Sequence, residues 1–163
     1  MSSVPPSGAR REAWTGARRT LGWGVPSAPV RPHPSLNAML LCDLTIREHG
    51  SGKISLIGVF ENISAARFPV VHRALSVYAK LTDAEGDYTI RLELVRLEDS
   101  HMVAQGTLKA TFADRMSPGE LIFNLENLGL EKPGRYEFRL YADERFVSSK
   151  TFTVIHTVAA ATP

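Results

Sequence analysis

The sequence predicts an all-β fold, an antiparallel immunoglobulin-like or fibronectin-like β-sandwich of about seven to eight short strands. Three observations indicate it. Apolar and polar residues alternate with a period of two in one segment after another from Met39 to Val154. Turn-forming clusters of Gly, Asp and Ser separate these segments at intervals of roughly a dozen residues. No segment shows the period of roughly 3.6 residues that would predict a long helix.

The first two strands are predicted to form a hairpin around residues 48–52, which contain two glycines. Its predicted core face is the set of even-numbered residues, Leu40, Cys42, Leu44 and Ile46 before the turn and Ile54, Leu56, Gly58 and Phe60 after it. Cys42 is therefore expected to be buried as a small apolar residue. The opposite face is also apolar, with Met39, Leu41, Ile57 and Val59. Either an interface or a covering loop would have to bury this second face.

Six further segments alternate in the same way, at residues 74–81, 87–97, 101–112, 121–125, 136–142 and 152–154. In the second of them the apolar phase shifts at Val95, which predicts a bulge or bend. The stretch before the seventh strand, with Pro133, Gly134 and Tyr136, resembles the tyrosine corner of immunoglobulin-like sandwiches. We therefore expect these three residues to be structural.

The length and composition are those of a globular chain. The 163 residues are 44% hydrophobic and 22% charged, with a net charge of +2, which is compatible with a core that needs no disulfide or metal. A single cysteine permits no internal disulfide, so we expect a reducing, cytoplasmic setting. No apolar run approaches the roughly 20 residues of a membrane helix, so no membrane association is expected.

The basic character of the chain lies at its N-terminus. Residues 1–36 carry five arginines against one acid, which leaves 14 basic and 16 acidic side chains in the rest. We expect a disordered basic tail over 1–36, a sandwich over 37–156 and a disordered end over 157–163. Because the alternating pattern starts beside Met39, the preferred hypothesis is a misassigned start. The alternatives are an arginine-rich arm for an anionic partner and an organelle transit peptide.

The connection over residues 61–72 is the longest among the early strands, and sandwiches place binding residues in such loops. Phe60, Arg67, Phe68 and His72 place two aromatic rings, a guanidinium and an imidazole within the thirteen residues 60–72. These four residues are candidate binding residues. The alternative is that Phe68, with the proline after it, closes one end of the core.

No motif in the sequence supplies catalytic chemistry. The run Gly50–Lys53 lacks the first glycine and the hydroxyl residue of a phosphate-binding loop, and none of the five histidines stands in an HExxH motif. No GxSxG elbow surrounds a serine. We therefore expect no catalytic residues, no metal site and no cofactor. A nucleic-acid partner is not favoured, because the predicted domain is net acidic and has no basic stripe.

The run Gly52–Phe60, followed by Phe68-Pro69 and His72, resembles an uncharacterised family of small bacterial β-sandwich proteins. Members carry a GK-L-S-L-I-G-I-F hairpin arm and an FP-x-x-H loop, and the resemblance extends over roughly residues 39–155. It implies a bacterial, cytoplasmic sandwich that begins near Met39. It implies no known activity.

Two functions remain open. The leading interpretation is a non-enzymatic module that binds a protein partner, or a second copy of itself, through the first hairpin and the 61–72 connection. The alternative is a sandwich that binds a small molecule or carbohydrate, with a cryptic enzymatic site assembled from Arg67, His72 and a carboxylate.

Overall fold

The computed structural model describes residues 30–158, which contain nine strands. The strands are β1 Ser35–Arg47, β2 Ile54–Val59, β3 Asn62–Ala65, β4 Val70–Thr82, β5 Gly86–Arg96, β6 His101–Phe112, β7 Gly119–Leu130, β8 Gly134–Ala142 and β9 Arg145–His156. Within this range no helix is long and apolar enough to cross a membrane.

The strands form the two sheets of an immunoglobulin-like sandwich. The first sheet has the order β2-β1-β4-β7, and the second has the order β3-β9-β8-β5-β6. The sheets pack face to face because each has one continuous apolar face, and burying these two faces against each other removes them from water. The predicted fold class is confirmed, and so is the hairpin that joins β1 to β2.

Two local features of the strands can be compared with the predictions from the sequence. The predicted irregularity at Val95 is confirmed, because the register between β5 and β6 shifts between Leu94 and Val95. The short strand β3 was not predicted, because it lies in the stretch that the sequence indicates as a loop. It pairs in parallel with β9. Its Ile63 and Ala65 are buried, so the connection contributes to the core as well as to the surface.

The inward face of β1 differs from the prediction. Met39 and Leu41 are 7% and 0% exposed and belong to the core, so their assignment to an exposed interface is wrong. They lie opposite Ala79 and Val77 of β4, and directly opposed residues in a sheet point to the same face. Because the inward face of β4 is odd-numbered, that of β1 is odd-numbered too.

The even-numbered residues of β1 consequently face outward. Cys42 is fully buried, as expected, but on the outer face of the sheet, where its Sγ lies 3.7 Å from the carbonyl oxygen of Ser76. Leu44 and Ile46, which the alternation placed in the core, are 50% and 44% exposed. The hairpin register pairs even residues of β1 with odd residues of β2, so Ile57 lies beside Leu44 on this outer face.

The ends of the domain also differ from the predicted boundaries. Residues 31–36 were expected in a disordered tail, yet β1 begins at Ser35 and the Tyr88 hydroxyl donates to the carbonyl oxygen of Pro32 at 2.9 Å. At the other end, the Thr157 N–H donates to the carbonyl oxygen of Ala65 at 2.9 Å. The predictions for residues 1–29 and 159–163 lie outside the described residues.

Aromatic rings from β8 and β9 form the centre of the core. The ring of Phe152 is stacked on Tyr136 and on Phe138, with centroid distances of 5.6 Å in both cases. All three side chains are at most 2% exposed. These rings supply a large part of the apolar area that the sandwich removes from water.

The turn before β8 has the features of a tyrosine corner. The hydroxyl of Tyr136 donates to the carbonyl oxygen of Lys132 at 2.7 Å. Gly134 has φ of 142°, a conformation that favours glycine, and a Cβ there would lie 2.7 Å from a carboxylate oxygen of Glu98, which would have to move. Pro133 is exposed at the turn. The Glu98 carboxylate accepts from the Arg135 N–H at 2.7 Å, and this bond lowers the pKa of Glu98.

Replacing Tyr136 with phenylalanine should lower the free energy of unfolding by about 1–3 kcal/mol, because the Lys132 carbonyl loses its hydroxyl partner. Chemical denaturation monitored by fluorescence would measure the loss. The matched control is Tyr141→Phe, since Tyr141 is partly exposed on the same strand. Equal stability of Tyr136→Phe and the wild type would contradict a structural role for the hydroxyl.

Candidate protein-binding face and its neighbouring pockets

The outer face of the first sheet carries an apolar strip on β1 and β2. We call it the outer strip; it consists of Leu44, Ile46, Ile57 and Val59, which are 50%, 44%, 48% and 52% exposed. Leu44 and Ile57 are directly opposed across the hairpin, and Val59 opposes Cys42. The four side chains thus form one contiguous apolar surface, which monomeric proteins rarely leave in water without a function.

The other half of the same face carries polar side chains that are hydrogen-bonded to one another. On β4 and β7, the Ser76 hydroxyl donates to Asn124 Oδ1 at 2.7 Å, and the Tyr78 hydroxyl donates to Glu120 Oε1 at 2.8 Å. Burial and the neighbouring Glu120 carboxylate raise the pKa of Tyr78 to about 12. These bonds make the outer face of β4 and β7 more polar than that of β1 and β2, although Ile122 of β7 lies on it and is partly buried.

The outer face of the second sheet is charged throughout its central strands. Arg139 Nε donates to Glu137 at 2.6 Å, and Arg91 donates to Glu144 at 2.9 Å. The guanidinium of Arg91 also lies over the ring of Tyr141, 4.1 Å from its centroid. A cross-strand network of this kind is typical of a solvated sheet face. The outer strip therefore differs from the equivalent surface on the other side of the molecule.

The strand β2 is an edge strand with apolar residues on both faces. Ile54 and Leu56 are partly buried, while Ile57 and Val59 are exposed and belong to the outer strip. No charged residue or proline occurs between Ile54 and Val59. Natural edge strands usually carry such residues because they discourage pairing with another chain.

The four candidate residues between positions 60 and 72 do not form one site. Phe60 and His72 pair, with ring centroids 6.0 Å apart, whereas Phe68 packs edge-on against His156 at 5.8 Å. Phe68 is partly buried against the core, so it closes that end of the sandwich. Arg67 is exposed. The structure therefore keeps Phe60 and His72 as neighbours and separates the other two.

A shallow pocket of about 370 Å³ lies beside His72 at the seam between the sheets. The lining side chains include a carboxylate, an amide, a hydroxyl and an aromatic ring: Asp43, Asn62, Ser64 and Phe60. The Nε2 atom of His72 is buried and has no hydrogen-bond partner among the described residues. Asp43 was not among the predicted site residues, because it is 29 positions from His72 and only the strand register brings the two together.

A second cleft, of about 320 Å³, opens between the free edges of β6 and β7. Its floor consists of core side chains, including Leu92, Phe123 and Phe138. Sequence reasoning missed it, because the position of a strand at the edge of a sheet depends on topology and leaves no local signal. The polar side chains of its lining are Gln105, Thr107 and Asn124.

The buried charge of Arg96 has a structural role. Its side chain is 6% exposed, and its Nε donates to Asp99 at 2.9 Å while a second nitrogen lies 3.5 Å from Glu131. The hydrogen bond from Arg96 lowers the pKa of Asp99 to about 2. The cluster ties the β5–β6 turn to the β7–β8 connection. Across residues 30–158, no group of three or more His, Cys, Asp or Glu side chains is placed to hold a metal ion.

Solved structures with a similar fold come from unrelated functional settings. They include the alkylpurine DNA glycosylase AlkC of Pseudomonas fluorescens, at 8% identity and a TM-score of 0.45 over 74% of this chain. This chain spans 30% of the glycosylase. An immunoglobulin-like protein of Pseudomonas aeruginosa matches at 13% identity and a TM-score of 0.40, over 76% of this chain and 97% of that one. At such identities the likeness concerns the fold alone.

A CARDB domain from Pyrococcus furiosus is also similar, at 11% identity and a TM-score of 0.39, over 77% of this chain and 90% of that one. No curated protein matches the sequence. One protein family does match, over residues 37–155, and this range includes almost all of β1 and every later strand except the last residue of β9. The chain therefore belongs to the family of unknown function DUF6941.

Proposed function

We propose that this protein is a non-enzymatic interaction module that binds a protein partner through the outer strip. One observation carries the proposal: four large aliphatic side chains on adjacent strands, each about half exposed, form one apolar surface on a sheet whose other half is polar. Covering this surface removes apolar area from water, and that is the main driving force of protein association.

The single cysteine is compatible with the reducing, cytoplasmic setting that we propose for this interaction. Cys42 is free and fully buried, and its Sγ lies 3.4 Å from the Thr45 hydroxyl and 3.7 Å from the Ser76 carbonyl oxygen. A buried thiol packed in this way serves as a small apolar side chain rather than as a nucleophile. The proposed module therefore does not depend on redox chemistry.

Affinity capture with the full chain tests the proposal. The wild type is compared with the double variant Ile57→Asp/Val59→Asp and with the control Val71→Asp/Ile155→Asp, which changes a valine and an isoleucine that are 58% and 40% exposed elsewhere. The expected result is a captured chain, either another protein or an untagged copy of this one, that only the strip variant loses. Capture that survives the strip variant, or none from any chain, would contradict the proposal.

A second candidate function rests on the pocket beside His72. Its lining suits a small polyhydroxyl ligand such as a sugar. It offers an imidazole nitrogen with no hydrogen-bond partner among the described residues, a carboxylate, an amide, a hydroxyl and an aromatic ring. A panel of monosaccharides tested by thermal shift should include one that stabilises the wild type but not His72→Phe. Stabilisation of neither protein, or of both equally, would reject this candidate.

A further inference from the structure

We infer that the cleft between β6 and β7 binds a small uncharged molecule that has an apolar ring or branched chain and one hydroxyl or amide group. This site is separate from the outer strip, because β2 and β7 lie at opposite edges of the first sheet. Three properties of the cleft support the inference: a glycine that leaves it open, the chemistry of its lining and the charges on the strands beside it.

The cleft is open because the inward face of β6 has no side chain at Gly106. This glycine lies directly opposite Leu92 of β5, and directly opposed residues of a sheet point to the same face. Because Leu92 is buried in the core, position 106 faces the core too. A Cβ at Gly106 would meet no atom within 4 Å. Inward positions are normally filled at the density of an organic crystal, so this one is a gap in the packing.

Neither the backbone nor the surrounding atoms require a glycine at this position. The φ angle of Gly106 lies outside the left-handed region, and the space beside it is empty. A glycine in the middle of a strand typically marks a bulge, a bend or a place where a ligand approaches the backbone closely. The register of β5 with β6 is continuous from Ile90 to Leu94, which excludes a bulge opposite these residues. The gap therefore keeps space for a group from outside the chain.

The gap suits a small apolar group. Its volume of about 320 Å³ is at the lower end of the range of ligand pockets, roughly 300–1,000 Å³. Its floor consists of core side chains, and its walls include Ala104, Ile122 and Leu125, which are partly exposed. A ring or a branched chain in the cleft would cover these walls and remove apolar area from water.

The polar groups of the lining are all neutral. They belong to Gln105, Thr107 and Asn124, and among the residues that the structure describes no charged side chain lines the cleft. The Asn124 Oδ1 accepts from the Ser76 hydroxyl at 2.7 Å, so its amide nitrogen is the group that can donate to a ligand. A charged ligand would lose hydration here without gaining a counter-charge, whereas a hydroxyl or an amide can form hydrogen bonds.

A peptide strand is a less suitable occupant, although β6 and β7 both have a free edge. Lys109 of β6 and Glu126 of β7 are charged and exposed. Charged side chains of this kind discourage an edge strand from pairing with another chain. The two edges therefore favour a molecule held within the cleft over a strand added to either sheet.

Nuclear magnetic resonance of the full chain tests the site with benzyl alcohol as the probe. Benzoate and benzylamine carry the same ring with a negative or a positive charge, so they are matched controls. Benzyl alcohol should shift the amide signals of residues 104–107 and 122–125 with a dissociation constant on the order of 1–10 mM. The charged analogues should bind at least about tenfold more weakly. No shift in these two segments, or equal binding of a charged analogue, would overturn the inference.

Filling the gap tests the role of Gly106. Gly106→Val places a branched side chain in the empty space, so the variant should be at least as stable as the wild type but bind benzyl alcohol at least about tenfold more weakly. The matched control is Gly129→Val, because a Cβ at Gly129 also meets no atom within 4 Å and Gly129 does not line the cleft. Binding that survives Gly106→Val, or that both variants lose equally, would overturn the inference.

The outcomes are separate from those of the proposed function. Gly106→Val should capture the same chain as the wild type, and Ile57→Asp/Val59→Asp should bind benzyl alcohol like the wild type, so either claim can fail while the other stands. A captured protein that only Gly106→Val loses would overturn the small molecule as occupant and assign the cleft to a protein partner.

Discussion

Replacing Phe152 with alanine is expected to lower the free energy of unfolding by about 3–5 kcal/mol. The Phe152 side chain is 2% exposed and its ring is stacked between those of Tyr136 and Phe138. Alanine would leave a cavity at the centre of the sandwich, because the flanking rings belong to the neighbouring strand and cannot close the space. Urea denaturation followed by circular dichroism measures the change.

Phe146 provides the control on the same strand. It is 52% exposed near the start of β9, so Phe146→Ala should cost less than about 1 kcal/mol. A similar loss of stability in both variants would show that the stacked rings do not form the centre of the core.

Replacing Leu41 with alanine should lower the free energy of unfolding by about 2–5 kcal/mol, whereas Leu44→Ala should change it by less than about 1 kcal/mol. The two leucines are three residues apart on β1, but Leu41 is fully buried between the sheets and Leu44 is 50% exposed on the outer strip. The same chemical change at both positions therefore reports directly which face of β1 is turned inward.

The comparison is to be made by equilibrium denaturation at low protein concentration, where self-association does not contribute to stability. A larger loss for Leu44→Ala than for Leu41→Ala would show that the even-numbered residues of β1 face the core, as the alternation alone predicts. Leu44 and Ile46 would then not belong to an exposed outer strip.

Strand alternation was enough to predict the sandwich, because each strand from β4 to β8 carries one clearly apolar face. The bulge at Val95 was predictable for the same reason, since one extra residue moves the apolar set to the other phase. The short strand β3 was not, because its hydrogen-bond partner, β9, begins about 80 residues later in the chain.

The orientation of β1 could not be decided from its own residues. Both faces of that strand are apolar, with Met39 and Leu41 on one and Leu40, Cys42 and Leu44 on the other. The longer even-numbered set suggested the core, but pairing with β4 determines which face is turned inward. Ile57 and Val59, which were predicted on the face opposite the core, lie on the outer strip together with Leu44 and Ile46.

The central claim is that the outer strip binds a protein partner. Amide hydrogen exchange of the full chain, alone and with the chain that affinity capture identifies, tests it most directly. We predict that the amides of residues 44–47 and 54–59 exchange more slowly when the captured chain is bound, while those of β6 exchange at the same rate with and without it. Unchanged exchange over residues 44–47 and 54–59 would contradict the claim.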